Sequence, residues 1–97
     1  VTTPEHHALT DRVTAGPGGA MTVQVGVITG DLTVTTTARG DGTAGVVIQY
    51  TGAEESYDLE GGSVRIPPGG IDALHRAALE AVRAGGAAQM PGTAPRP

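Results

Sequence analysis

Apolar and polar residues alternate with a period of two over residues 21–66, and the period then lengthens to that of a helix. "MTVQVGVIT" aligns Val23, Val25 and Val27 on one face. "LTVTTTA" sets Leu32, Val34 and Ala38 against Thr33, Thr35 and Thr37, and "AGVVIQYT" aligns Val46, Ile48 and Tyr50. Two shorter stretches pair Tyr57 with Leu59 and Val64 with Ile66. Each pattern predicts a strand with one buried face.

The turns between these strands are constrained by parity, because a slip of one residue exchanges the two faces. Val27 opposite Val34 leaves Gly30-Asp31 as a two-residue turn, and Leu59 opposite Val64 leaves Gly61-Gly62. Tyr50 opposite Tyr57 leaves a four-residue loop, 52–55. A two-residue turn at Asp41-Gly42 would mix inside with outside. A three-residue loop, Gly40-Asp41-Gly42, closed by Arg39 opposite Thr43, restores Val34 to Ile48 and Leu32 to Tyr50. A type I turn with Gly42 left-handed and a G1 bulge is the expected solution.

After "IPPGG", Ile71, Leu74, Ala78, Leu79 and Val82 recur at helical spacing, with Asp72, Arg76, Glu80 and Arg83 opposite. Gly85 suits the C-cap. Residues 1–20 read as an arm, either disordered or a short helix with Thr3 as N-cap and Pro4 in the first turn. Residues 87–97 lack periodicity and are rich in Pro, which predicts a disordered tail. The expected fold is α+β: over residues 21–86, an antiparallel β-meander of four to five strands with one C-terminal helix on one face.

Composition changes this picture in two ways. The 97 residues hold no Phe, Trp or Cys and only two Tyr, so the core is light and made of aliphatic residues. A small core without disulfides favours association. The absence of Lys, Asn and Phe, whose codons are AT-rich, suits a GC-biased bacterial genome. The net charge of −4 disfavours binding to phosphate backbones. No apolar run approaches the roughly 18–20 residues that span a bilayer. The first 25 residues lack a basic stretch followed by an apolar one, so no secretory leader is expected and a cytoplasmic location is.

Gly40-x-Gly42-x-x-Gly45 has the spacing of a dinucleotide fingerprint but precedes a strand, where the fingerprint needs a helix. Arg39-Gly40-Asp41 reads as turn chemistry. His6 and His7 lack the further ligands of a structural zinc site, so neither a metal nor a cofactor is expected. Glu54, Glu55, Asp58 and Glu60 read as a solvated edge. His75 falls inside the apolar stripe of the helix and must find a partner there. It is expected to bond a backbone carbonyl or a Tyr hydroxyl. The alternative is a small-molecule pocket or minor active site at the helix–sheet seam, formed by His75 with Tyr50 and Tyr57.

The face away from the helix is expected to carry Thr33, Thr35, Thr37, Gln49, Ile28 and Val47. It is nearly uncharged and β-branched, as in a sheet-packed dimer. The order of elements is similar in general layout to Whirly-like single-stranded nucleic-acid binders. That resemblance implies basic grooves and stacking aromatics, which this acidic chain, with both Tyr at inward positions, does not offer. The expectation is a non-catalytic interaction or accessory protein that forms a homodimer through the Thr-rich face, with no enzyme chemistry assigned.

Overall fold

The computed structural model describes residues 8–91. Among these, seven strands precede one helix. They are β1 (Ala8–Thr14), β2 (Ala20–Thr22), β3 (Gly26–Ile28), β4 (Asp31–Ala38), β5 (Thr43–Tyr50), β6 (Tyr57–Asp58), β7 (Val64–Arg65) and α1 (Gly70–Ala84). The main sheet is antiparallel and five-stranded, in the order β1-β4-β5-β6, with β7 on the same edge of β5 as β6. β2 and β3 form a separate hairpin. The fold is α+β with one C-terminal helix, as the periodicity predicts.

The β4–β5 hairpin has the register expected from parity. Leu32 lies opposite Tyr50, Val34 opposite Ile48, and the N–H of Arg39 donates to the carbonyl of Thr43 at 2.9 Å. The turn differs in detail, because Gly40 (φ 87°) and Gly42 (φ 92°) are both left-handed, which excludes a type I turn. Asp41 Oδ1 accepts from the N–H and the hydroxyl of Thr43, at 3.0 and 2.6 Å.

Four sequence expectations are corrected. First, residues 8–14 form an edge strand and not part of a helix. Seven pairs with β4 replace a helix too short to be stable alone. Thr3 and Pro4, its expected start, lie outside the described residues. Second, residues 21–29 do not form one strand. The Thr22 hydroxyl accepts from the N–H of Val25 (3.1 Å) and donates to the carbonyl of Gly26 (2.7 Å), folding the stretch into a tight hairpin. Val23, Val25 and Val27 are exposed, at 57%, 53% and 46%, and Ala20, Thr22 and Ile28 are buried. Ile28, expected on the open face, is therefore part of the core.

Third, β3 does not pair with β4, and Asp31 instead lies opposite Thr14 on β1. Tyr57 lies opposite Ile48, two residues from the expected register, so its inward parity survives. Val64 lies opposite Ala44, and Leu59, whose N–H donates to the Val46 carbonyl at 3.0 Å, enters the core and bridges to Thr22. Gly61 (φ 116°) allows the chain to return, passing against Met90. Fourth, residues 87–91, expected to begin a disordered tail, are packed. Ala88 and Met90 are buried, and backbone bonds tie residues 87–90 to Gly18, Gly19, Met21 and Glu60. Residues 92–97 lie outside the described residues.

α1 presents Leu74, His75, Ala78 and Val82 to the core and ends at Gly85, whose N–H donates to Ala81 at 3.0 Å. The core joins these to the inward residues Val13, Leu32, Val34, Val46 and Ile48 of the sheet, and to Ile28, Leu59 and Met90. Helix, β2–β3 hairpin and C-terminal segment therefore share one face of the main sheet. No helix among the described residues is long and apolar enough to cross a membrane.

Candidate functional site

Inward parity on the sheet places two polar residues where apolar ones would be expected. Asp11 on β1 lies opposite Val34, and Thr36 on β4 lies opposite Leu9 and Val46. α1 delivers His75 between them. Its Nδ1 lies 2.7 Å from Thr36 Oγ1 and its Nε2 lies 2.8 Å from Asp11 Oδ2. A carboxylate only accepts, so in the neutral ring Nε2–H donates to Asp11 and the bare Nδ1 accepts the Thr36 hydroxyl proton. Every polar atom of the imidazole is satisfied without a Tyr hydroxyl or a backbone carbonyl.

The three groups are those of a hydroxyl–imidazole–carboxylate triad, yet the hydroxyl is inaccessible. Thr36 is 0% exposed and His75 only 5%. A nucleophile must reach its electrophile, at about 3–3.5 Å in a productive complex, and here the sheet and helix already occupy that space. The relay ties β1, β4 and α1 together. The Asp11 carboxylate alone is open to water, at 61%. A hollow of about 280 Å³ over it is lined by Leu9, Asp11, Asp72, His75, Arg76 and Leu79.

Tyr50 and Tyr57, expected beside His75, do not line that hollow. Tyr50 lies opposite Leu32, four residues along β4 from Thr36, or about 13 Å at strand spacing. Tyr57 sits on β6 and donates its hydroxyl to Glu55 Oε1 at 3.0 Å. That bond, with partial burial and the Glu55 charge, raises the phenol above its ordinary pKa. Sequence reasoning missed Asp11 and Thr36. The signal for Thr36 was its parity, which it shares with Leu32 and Val34. Asp11 became readable only once residues 8–14 were known to be a strand.

The opposite face of the sheet carries Thr10 and Arg12 from β1, Thr33, Thr35 and Thr37 from β4, and Val47 and Gln49 from β5. The Thr10 and Thr35 hydroxyls meet at 3.0 Å, as do those of Thr33 and Thr51. Gln49 donates to the carbonyl of Ala53 at 2.7 Å. Near the tip of the β4–β5 hairpin the Arg39 guanidinium lies over Gly45, where any Cβ would sit 2.7 Å from it. Among the described residues, no group of three or more His, Cys, Asp or Glu is placed to hold a metal. His6 and His7 lie outside the described residues. Comparison with protein-family models, with curated proteins and with solved structures found no match to this chain.

Proposed function

We propose that this chain is a non-catalytic bacterial interaction protein of the cytoplasm that self-associates through the open face of its main sheet. One observation carries the reading: among the described residues every covering element lies on the other face, which leaves Thr33, Thr35, Thr37, Val47 and Gln49 uncovered on a surface of few charges. Two pairs of hydroxyls on this face bond each other, so burying it against a second copy leaves only part of its donors to be met across the contact.

The long strands β1, β4 and β5, about 4.8 Å apart and about 25 Å long, project roughly 350 Å². Val23, of the β2–β3 hairpin, lines a hollow with Gly45 and Asp58 and so borders that face. A stable pair takes about 800 Å² from each partner, so the proposed contact reaches beyond these three strands. The inaccessible Thr36 hydroxyl supports a non-catalytic role.

The test is molar mass by light scattering on a sizing column over a range of concentrations. A dimer has twice the 9.6 kDa chain mass, and Val47→Glu, which would bury a carboxylate against the partner, returns it to monomer. A wild-type monomer at all concentrations overturns the reading.

A further inference from the structure

The β1 edge of the sheet is open. The Ala15 N–H donates to the Gly30 carbonyl, and its parity gives Leu9, Asp11 and Val13 the ladder bonds to β4. The N–H and C=O groups of Thr10 and Arg12 therefore point away from the sheet, and among the described residues no backbone group meets them. Beside this edge runs a trough between β1 and α1. Its three successive hollows, of about 390, 280 and 480 Å³, are lined on the strand side by Leu9, by Leu9 with Asp11, and by Arg12, Val13 and Thr14 with Asp31. Ile71, His75, Leu79 and Arg83 form its helical wall.

We infer that this edge and trough capture an extended peptide segment of another protein, added antiparallel to β1, with a basic side chain seated on Asp11. Strand addition supplies the backbone bonds, and alternate side chains supply the selectivity. The residue opposite Asp11 forms a non-hydrogen-bonded pair, where the side chains approach most closely. Asp11 is preorganised for that role, because a buried imidazole holds one carboxylate oxygen at 2.8 Å while the carboxylate faces water. Asp72 lines the same hollow, so two carboxylates face one guanidinium, that of Arg76. The neighbouring trough-facing position, opposite the half-buried Leu9, selects an aliphatic residue. The position opposite Arg12, on the outer face, selects an acidic one.

The same pattern disfavours a second copy as occupant. An added strand keeps inside and outside in register only if odd positions meet odd ones. Two β1 strands centred on Asp11 would place the two Asp11 carboxylates directly opposite each other, which is repulsive. Centred on Arg12 they would oppose two guanidinium groups, and centred on Thr10 they would set Asp11 against Leu9. The edge thus rejects its own copy, and this inference concerns a surface separate from the sheet face proposed above for self-association.

The test uses the full chain and a fluorescein-labelled synthetic peptide containing Val-Glu-Lys-Thr-Val, followed by anisotropy. Binding should saturate below about 1 mM, and replacing the peptide's Lys by Glu should weaken it about tenfold or more. Thr10→Pro removes an outward N–H without touching the β4 ladder and should abolish binding at unchanged far-ultraviolet circular dichroism. Should that variant misfold, Arg12→Pro makes the same test. Asp11→Asn should erase the preference for Lys over Glu. Failure to saturate, equal binding of the two peptides, or undiminished binding to the proline variant overturns the inference.

Discussion

The Thr36–His75–Asp11 relay shows how two buried polar side chains are accommodated in a core with little apolar bulk, by way of a carboxylate open to water. His75 has a partner for each nitrogen, and Thr36 spends its proton on one of them. Thr36→Val keeps shape and removes that proton, leaving Nδ1 without a donor. The expected loss is about 1–3 kcal/mol, read from the urea midpoint at constant slope. At the hairpin tip, Asp41 is held below its ordinary pKa chiefly by the Thr43 hydroxyl, with the Thr43 N–H adding to it. A lowered carboxylate contributes stability that is present above its unfolded value of 3.8 and lost as pH falls through the lower folded value. The Asp41 carboxyl carbon should accordingly titrate by NMR below 3.8 in the native chain, and closer to 3.8 in Thr43→Val, where the N–H bond remains. Tyr57 runs the other way: its raised phenol contributes stability present below pH 10.0 and lost as pH rises through the folded value.

Local elements were legible in the sequence, and those joined by distant pairings were not. The β4–β5 register followed from two amphipathic stretches and one loop, because a parity error there would have buried Thr and exposed Ile. α1 followed from Leu74, Ala78 and Val82, with Gly85 to end it. By contrast, β1 reaches β4 across the whole β2–β3 hairpin, and its short apolar content, Leu9 and Val13, fits a helix turn as well as an edge strand. The valines at 23, 25 and 27 are all exposed. The larger side chains suggested the wrong side for the core, because Ala20 and Thr22 are what the crowded interior accepts. The C-terminal segment shows the same limit. Met90 fills space against Gly61 and Leu59, neither of them adjacent in sequence. Met90→Ala should therefore destabilise by about 2–5 kcal/mol, and a chain ending at Gly86 should unfold at lower urea than the full one. A dispensable tail would leave both midpoints unchanged.

At the scale of the molecule, a one-sided fold leaves its stability tied to what happens on the other side. The candidate relay needed the tertiary structure to be seen, but the Thr-rich face was written in the alternation of β4 and β5, since β-branched residues with few charges mark both good exposed strands and packed ones. Concentration separates these two meanings. If the face packs against a second copy, mass action links folding to association, and the thermal midpoint rises with protein concentration. Each tenfold increase then contributes about 1.4 kcal/mol per mole of dimer, which for so small a domain moves the midpoint by several degrees. Val47→Glu should flatten that dependence while leaving the midpoint at the lowest concentrations close to wild type, because a carboxylate on a solvated strand face is tolerated. Replacing the exposed Val23 by Thr should shift the dependence part of the way, since this side chain borders the face without forming its centre. A midpoint independent of concentration in the wild-type chain would mean that the face is simply solvated. Its hydroxyl pairs would then be internal to each strand pair, stabilising the sheet by the same cross-strand contacts that any exposed Thr ladder makes.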